Sequence, residues 1–258
     1  HMSLEGTDLD KLALSTEKLL AGTDSEITTV GYYCNPIQYA EHRKTLENVI
    51  CTAGKFGATH VSTFAGAWEG KPVESAYEEF GKVFRELADL AEEKGVKLGI
   101  ENCLMDGTWE HATCNIGFNP KAWEVMFEEV KNDNFGLEWE PTHQMVQLID
   151  PVTELRKWCK KIVHIHGKDA TIDWDAVRHS GISGAVPFVW HRMPGFGDTN
   201  WRDIISILRS NGYEDDICIE GYHDPVYSGE LEMTGQLHAL NYLKWCRGGD
   251  FTPTPWAK

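Results

Sequence analysis

The sequence lacks the features that mark several large classes of protein. None of its apolar runs approaches the roughly 20 residues that a membrane-spanning helix needs. No secretory signal heads the chain, so a cytoplasmic protein without a membrane partner is expected. The seven cysteines are odd in number and include no CxxC pair. This pattern favours reduced thiols over a disulfide framework, and none of the cysteines is an obvious metal ligand.

Basic residues are also scarce. The chain has 24 Lys and Arg against 40 Asp and Glu, which gives a formal net charge of −16. Proteins that bind nucleic acids neutralise phosphates with Lys and Arg, so this balance argues against a nucleic-acid partner. No cluster of Lys and Arg of the kind that clamps a phosphate is evident either, which argues against a phosphorylated ligand.

The 258 residues are predicted to form one domain, 1–258. His1 and Met2 resemble a cloning remnant, and residues 247–258 are predicted to be a C-terminal tail. Between them, apolar residues at helical spacing alternate with short β-branched and aromatic runs. The predicted helices are 7–20, 39–57, 75–94, 119–130, 150–161, 201–210 and 232–245, and the predicted strands are 27–33, 60–65, 96–102, 135–140, 162–170 and 217–221.

Strands that alternate with helices, without a hairpin signal, indicate βαβ units and a parallel sheet. No Gly-rich phosphate fingerprint follows any strand, so a (β/α)8 barrel fits better than a doubly wound nucleotide-binding sheet. A barrel needs eight strands. The pattern predicts six, and residues 185–190 could add a seventh within a segment, 171–198, that is expected to be irregular.

Metal-ligand residue types stand at the ends of four predicted strands. These residues are Glu101, Glu140, His166 and Glu220. Buried carboxylates are costly unless they are paired or bind a metal, and in such barrels the carboxyl ends of the strands form the active site. Three carboxylates and one imidazole suit Mn²⁺, Mg²⁺ or Co²⁺ and also permit Zn²⁺. The pattern therefore predicts one divalent metal ion at these strand ends.

The strand at 162–170 has a second property. His164, His166 and Lys168 are spaced by two residues, so in an extended strand they share one face. Such a row either hydrogen-bonds within a core or lines a site. The glutamates at the neighbouring strand ends favour the second interpretation for His166, while His164, one pleat deeper, is expected to have a supporting or core role.

Six motifs in order resemble the xylose isomerase-like TIM-barrel family. This family includes sugar isomerases, ketose 3-epimerases, inosose dehydratases and, more distantly, apurinic-site endonucleases. The resemblance runs from about residue 27 to residue 245. The motifs are Ile-Glu-Asn-Cys at 100–103, Asn-Ile-Gly-Phe-Asn-Pro-Lys-Ala-Trp at 115–123, Phe-Gly-Leu-Glu-Trp-Glu-Pro-Thr-His at 135–143, Val-His-Ile-His-Gly-Lys-Asp at 163–169, Arg-Met-Pro-Gly-Phe-Gly at 192–197 and Ile-Glu-Gly-Tyr-His-Asp-Pro at 219–225.

The resemblance implies a role for each matching residue. The metal ligands would be Glu101, Glu140, His166 and Glu220. Glu101 and Glu220 would also be the catalytic acid and base. Residues that would hold substrate oxygens or contribute hydrogen bonds are His143, Arg192, Lys168 and His164.

The chain departs from the family pattern at particular places. The family usually has Asp where Glu140 stands, and the glutamate that ketose 3-epimerases carry after the first ligand strand is not evident here. Glu101 falls on what is normally the fifth strand of the fold. The chain is therefore expected to be a TIM barrel that lacks the first one or two strands.

Four functions remain open at this level. The first is a sugar isomerase or epimerase that forms an enediolate and moves a proton between two glutamates, and the second is an inosose-type dehydratase on the same metal site. The third is a non-catalytic sugar-binding barrel. The fourth is phosphodiester cleavage at damaged DNA with His60, His111 and His223 as extra ligands, which the net charge disfavours. A dimer or tetramer of the chain is expected for such barrels.

Overall fold

The structure is a computed structural model that describes residue 4, residues 6–249 and residues 252–255. The suspected remnant at His1 and Met2 lies outside the described residues. The chain divides into two compact units. Unit 1 consists of the described part of His1–His143 with Lys161–Ile165, and unit 2 consists of Gln144–Lys160 with the described part of His166–Lys258.

Unit 1 is built from alternating helices and strands, as the sequence pattern predicts. Its helices and strands, in chain order, are α1 (Leu9–Leu20), β1 (Thr29–Gly31), α2 (Ala40–Thr52), β2 (His60–Thr63), α3 (Tyr77–Lys94), β3 (Lys97–Glu101), α4 (Pro120–Glu129), β4 (Phe135–Trp139), the start of α5 (Pro141–Met145) and the first four residues of β5 (Ile162–Gly167). Short 3-10 helices at Ala53–Phe56 and Val73–Ala76 extend α2 and precede α3.

The strands of unit 1 form a parallel sheet in the order β1-β2-β3-β4-β5. The register between β3 and β4 is regular and pairs Glu101 with Glu138. Between β4 and β5 it shifts at Leu137/Glu138, so Glu138 lies opposite His164. Parallel sheets are covered on both faces. The wholly buried residues of β2 and β4 agree with this rule.

Helices pack on this sheet through an aromatic cluster. Phe80 and Phe84 of α3 stack with ring centroids 4.6 Å apart, and both contact Phe135 at the start of β4. Phe127 of α4 contacts the same ring at 5.6 Å. The apolar stripe predicted for residues 75–94 is therefore the stripe that anchors α3. Gly95, at φ 70°, ends the helix in the left-handed conformation that glycine adopts without strain.

Unit 2 contains parallel and antiparallel parts. Its elements are the end of α5, α6 (Pro151–Trp158) with most of the 3-10 turn at Cys159–Lys161, the end of β5, β6 (Asp169–Ile172), α7 (Trp174–Ser180), β7 (Val189–Arg192), α8 (Trp201–Ser210), β8 (Ile217–Ile219), a 3-10 helix at Gly229–Leu231 and α9 (Glu232–Arg247). Strand β8 is the neighbour of β5 in the sheet, and the N–H of Glu220 donates to the carbonyl of Gly167 at 3.1 Å. The six parallel strands predicted, β1–β5 and β8, are thus confirmed, against the eight of a complete barrel.

Three local predictions in unit 2 are wrong. Residues 171–198 are not simply irregular, because they hold α7 and a strand. That strand, at Val189–Arg192 rather than 185–190, pairs antiparallel with β6 in a separate two-stranded sheet. It is therefore not a seventh barrel strand. The strand predicted at 162–170 breaks at Lys168, whose N–H donates to the carbonyl of His166 at 3.1 Å.

Several negative predictions can be compared with the described residues. None of the helices in the described part of the chain is both long enough and apolar enough to cross a membrane. All seven cysteines are described, and no disulfide joins them. In the predicted tail, α9 runs to Arg247, and residues 252–255 form no helix or strand.

Candidate metal centre

Glu101 ends β3, and the backbone around it is held by an asparagine. The side-chain amide of Asn115 donates to the carbonyls of Glu101 and Cys103 at 2.9 and 2.8 Å. The amide oxygen of Asn115 accepts the N–H groups of Ala65 and Gly117, both at 2.9 Å. Because Asn115 is fully buried, its four hydrogen bonds fix the position from which Glu101 projects.

A second asparagine joins the ends of β3 and β4. Asn102 donates to the carbonyl of Glu140 at 2.9 Å and accepts the N–H of Glu140 at 2.7 Å. Glu140 follows directly after β4 and is fully buried, and Glu101 is only 7% exposed. Two carboxylates predicted as metal ligands therefore lie at adjacent strand ends of unit 1, held through their backbones by neutral amides.

His143 lies beside the same carboxylates. It belongs to α5, which begins immediately after Glu140, and its Nε2 is 3.3 Å from Oε1 of Glu140. Ligand-type atoms of Glu101, Cys103 and His143 all lie within 4.8 Å of one another. The sequence assigned His143 to substrate oxygens and gave Cys103 no role. In unit 1 both His143 and Cys103 lie near the carboxylate of Glu101.

His164 is buried in unit 1. Its Nε2 is 3.8 Å from Oε1 of Glu138, and its Nδ1 is 3.4 Å from Oγ1 of Thr29. The other oxygen of Glu138 accepts a hydrogen bond from the hydroxyl of Tyr33 at 2.8 Å. The register shift at Glu138 produces this buried polar group, because it brings Glu138 opposite His164.

In unit 2, Glu220 is the centre of a charged group. Nδ1 of His166 is 3.1 Å from Oε2 of Glu220, and Nζ of Lys168 donates to Oε1 at 3.0 Å. Lys168 is 3% exposed, while the side chain of Glu220 is 30% exposed. Two residues predicted as ligands, His166 and Glu220, therefore meet in unit 2, and Lys168 holds the carboxylate from the other side.

Arg192, predicted to hold substrate oxygens, is itself held by an acid in unit 2. Its Nε donates to Oδ2 of Asp224 at 3.2 Å. Burial raises the pKa of Asp224, but the backbone N–H groups of Tyr227, Met193 and Val226, with Arg192, more than offset this, so the net pKa is lowered. Asp224 is therefore a carboxylate at neutral pH.

The three histidines considered as extra metal ligands for DNA cleavage do not belong to a candidate metal site in the described part of the chain. Neither His60, His111 nor His223 belongs to any set of at least three possible ligands within the described ranges. Burial, and then the positive charge of Lys168, lower the pKa of His223. His60 lies inside unit 1 with its ring 5.8 Å from that of His164.

The chemistry of the donor atoms fits a divalent cation. Unit 1 offers carboxylate, imidazole and thiol groups around Glu101, and unit 2 offers an imidazole and a carboxylate in contact. Carboxylates and imidazoles are ligands for Mn²⁺, Co²⁺ and Zn²⁺, whereas a thiol favours the softer ions. The residues that the sequence reasoning missed are Asn102, Asn115 and Cys103. Asn102 and Cys103 stand at the end of the predicted strand 96–102, which was the signal for them, whereas Asn115 opens the motif at 115–123 and lies next to no predicted strand.

Comparison with known proteins gives relatives and structural neighbours. Inosose dehydratase of Clostridium tetani is 26% identical over 182 residues, which cover 69% of this chain and 57% of that protein. Inosose dehydratase of Clostridium perfringens is 22% identical over 227 residues, which cover 84% of this chain and 73% of that protein. The chain thus spans little more than half the length of the first of these relatives.

Solved structures share the fold. A xylose isomerase domain protein from Planctomyces limnophilus superposes with a TM-score of 0.71 at 17% identity, over 92% of this chain and 82% of that one. D-psicose 3-epimerase in the presence of D-fructose superposes with a TM-score of 0.69 at 16% identity, over 95% of this chain and 86% of that one. The IolI protein with a bound zinc atom superposes with a TM-score of 0.64 at 21% identity, over 94% of this chain and 81% of that one.

A family model agrees with the motifs quoted from the sequence and with the alternating strands and helices of both units. It is described as a xylose isomerase-like TIM barrel and matches residues 6–244. The chain belongs to the xylose isomerase-like TIM-barrel family.

Proposed function

We propose that the protein is a metal-dependent enzyme that removes a proton from the carbon next to a carbonyl group in a sugar or polyol ketone. The observation that carries this proposal is the placement of ligand-type side chains at or just after the carboxyl ends of β3, β4, β5 and β8. This is the end of the strands at which barrel enzymes hold their active sites. The ligands we propose are Glu101, Glu140, His166 and Glu220, as the family motifs imply.

The ion supplies one element of the chemistry. When bound, a divalent cation polarises the substrate carbonyl and so makes the adjacent C–H bond more acidic. Mn²⁺, Mg²⁺ and Co²⁺ suit three carboxylates and one imidazole, and Zn²⁺ is compatible with them. Binding would also compensate the cost of burying Glu101 and Glu140.

Glu220 and Glu101 are the proposed base and acid. Glu220 is the more exposed of the two, and the contacts with His166 and Lys168 restrict its orientation. Glu101 is nearly buried, and Asn115 fixes its backbone. A general acid or base must be held within hydrogen-bond reach of the proton it transfers. The restricted positions of the two carboxylates support this assignment.

Four further residues have proposed roles toward substrate oxygens. Arg192 is held by Asp224, so its guanidinium is positioned before substrate arrives. His143 beside Glu140 and Lys168 beside Glu220 have N–H groups for hydroxyl oxygens. His164 supports the site from within unit 1 through its contacts with Glu138 and Thr29.

The fate of the deprotonated substrate separates two candidate reactions. In an isomerase or epimerase, one glutamate takes the proton and the other returns a proton, for an epimerase to the opposite face of the same carbon. In a dehydratase the same deprotonated substrate expels the hydroxyl group on the next carbon, which leaves as water with a proton from the acid. The second candidate is favoured by the inosose dehydratases among the relatives, and the first by the epimerase among the structural neighbours.

The common step can be tested without a choice between the two reactions. Purified protein loaded with Mn²⁺, Co²⁺ or Zn²⁺ is incubated with candidate ketoses and inososes in D₂O, and deuterium at the α-carbon is followed by NMR. We expect exchange in the wild type and a loss of about 10²- to 10⁴-fold in Glu220→Gln and Glu101→Gln, the usual contribution of acid–base catalysis.

The controls separate a lost base from a lost ion. The metal content of each preparation is measured, and Glu78→Gln, at an 85% exposed side chain on α3, should exchange like the wild type. Undiminished exchange in both Glu101→Gln and Glu220→Gln would contradict the assignment. A protein that stays free of metal when offered all three ions would favour the non-catalytic barrel.

Product analysis then distinguishes the candidate reactions. Incubation with an inosose should give an ultraviolet-absorbing enone or dione if water is eliminated. Incubation with a ketose should give its epimer or isomer, without such absorbance, if a proton is returned. The product formed at the higher kcat/KM identifies the reaction.

A further inference from the structure

A thiol stands two residues after Glu101, and the fold fixes both positions together. The amide of Asn115 donates to the carbonyl of Glu101 and to the carbonyl of Cys103. Cys103 is half-buried, unlike Cys34 and Cys159, which are buried. A thiol that only filled space would be expected in the core. Cys103 instead lies at the carboxyl end of β3, next to a buried carboxylate.

His143 completes a group of three different donors within unit 1. One oxygen of Glu101, Sγ of Cys103 and one ring nitrogen of His143 lie within 4.8 Å of one another. Glu101 and His143 are 7% and 8% exposed. Glu101 and Cys103 lie two residues apart at the end of β3, and His143 comes from α5. The Asn115 amide holds the backbone carbonyls of the first two. The group is therefore organised by the fold and not by sequence proximity alone.

The spacing is close to what a tetrahedral zinc site requires. Zinc binds thiolate at about 2.3 Å and imidazole or carboxylate at about 2.0–2.2 Å, so tetrahedral ligand atoms are about 3.5 Å apart. Ligand atoms that lie within 4.8 Å of one another can reach this spacing through small side-chain rotations. Three protein ligands also leave a fourth position for water or substrate, as in catalytic zinc sites.

We propose that Glu101, Cys103 and His143 form a zinc-selecting site in unit 1. A thiolate binds Zn²⁺ and Co²⁺ much better than Mn²⁺ or Mg²⁺, so this donor set selects the softer ions. The inference shares Glu101 and His143 with the proposed function and otherwise does not depend on it, since it concerns which ion the residues of unit 1 bind and not which substrate reacts. One ring nitrogen of His143 would bind the ion, which leaves the other for a substrate hydroxyl.

Cobalt reports a thiolate ligand directly. The protein freed of metal is titrated with Co²⁺, and its near-ultraviolet and visible spectrum is recorded. We expect a sulfur-to-cobalt charge-transfer band in the wild type and its loss in Cys103→Ser. Cys114→Ser is the matched control, because Cys114 lies in the same loop region, is half-buried, and has a pKa raised by burial, without belonging to the group. It should keep the band.

Affinity measurements test the other two donors and the selectivity. In competition with a chromogenic chelator, Cys103→Ser and His143→Ala should each bind Zn²⁺ at least about tenfold more weakly than Cys114→Ser does. Cys103→Asp should keep a ligand but replace sulfur with oxygen, so it should lose the band and shift the preference from Zn²⁺ towards Mn²⁺. Circular dichroism of each metal-free variant checks that it is folded.

The outcomes separate this inference from the proposed function. A wild-type Co²⁺ complex without the charge-transfer band, or one whose band survives in folded Cys103→Ser, would overturn the zinc-selecting site. Glu220→Gln should keep the band, because Glu220 is in unit 2. A charge-transfer band without α-proton exchange in any substrate would support the zinc site and contradict the proposed reaction. Exchange without the band would support the proposed reaction and contradict the zinc site.

Discussion

The two units hold their functional side chains in different ways. In unit 1 the strand ends that carry Glu101 and Glu140 are fixed by the neutral amides of Asn115 and Asn102, through hydrogen bonds to the backbone. In unit 2 the functional side chains are held by charges. Lys168 contacts Glu220 directly, and Asp224 contacts Arg192.

The difference predicts how each unit responds to its surroundings. Hydrogen bonds between neutral groups do not depend on pH or salt over the usual range, whereas ion pairs are screened by salt and carboxylates are lost on protonation. The strand ends that Asn102 and Asn115 hold in unit 1 should therefore keep their backbone geometry when pH and salt are varied. Unit 2, with Glu220 partly exposed, should be the unit that responds.

Removal of the central amide of unit 1 should have the largest effect on stability. Asn115→Ala takes away two acceptor contacts and two donor contacts from buried backbone groups. Each buried polar group left unsatisfied costs about 1–3 kcal/mol. With partial relaxation, we expect the free energy of unfolding to fall by about 3–5 kcal/mol in urea denaturation, with Zn²⁺ affinity about 10- to 100-fold lower.

A matched asparagine in the same segment sharpens this prediction. Asn119 caps α4, and its side chain accepts a hydrogen bond from the N–H of Lys121 at 2.9 Å. Asn119→Ala should cost about 1 kcal/mol, as for other helix caps, without a change in metal affinity. Equal losses in the two variants would mean that the Asn115 network has no special role in unit 1.

In unit 2 the corresponding test concerns Asp224. Asp224→Asn replaces the carboxylate that accepts the N–H groups of Met193, Val226 and Tyr227 and pairs with Arg192. Each hydrogen bond to a charged group contributes about 1.5–3 kcal/mol, and the asparagine amide can keep some of these bonds. We therefore expect the free energy of unfolding at pH 7 to fall by about 2–3 kcal/mol, measured by urea denaturation.

The pH dependence of this loss has a definite sign. The pKa of Asp224 in the folded protein is below its ordinary value of 3.8. Its stabilisation is therefore complete above that ordinary value and disappears as the pH falls through the lowered pKa. The difference between wild type and Asp224→Asn should shrink as the pH is lowered in that range. Asp175→Asn, at a 96% exposed side chain, should differ little from wild type at any pH.

Much of the fold could be predicted from the sequence because local patterns decide it. The helix at Trp201–Ser210 has the predicted limits, and Asn119 with Pro120 begins α4 as predicted. The pairing of β6 with β7 could not be predicted, because α7 lies within the connection between them and no tight-turn signal marks it. A strand that pairs across such a distance is fixed by tertiary contacts.

The residues of the candidate site likewise fall into those that local sequence patterns predict and those that only long-range contacts fix. The glutamates at strand ends follow from period and spacing, since parallel strands place their carboxyl ends at one edge of a sheet. The role of Asn115 depends on a contact with Ala65, which lies 50 residues earlier, so no local pattern reports it. The partners of Lys168 and Arg192 likewise come from Glu220 and Asp224, 52 and 32 residues later.

The smallest expected effect comes from Lys168, and it tests whether charge alone organises unit 2. Lys168→Met keeps most of the buried side-chain volume and removes the ammonium group from Glu220. Glu220 is partly exposed and also contacts His166, so water and the imidazole compensate in part. We expect a loss of about 1 kcal/mol at low salt, measured by urea denaturation, which decreases as salt is added. Lys82→Met on α3 is the control, because its side chain is 56% exposed and its partner Glu78 is 85% exposed. A salt-independent loss in Lys168→Met would show that the side chain acts through packing, and unit 2 would then resemble unit 1 in this respect.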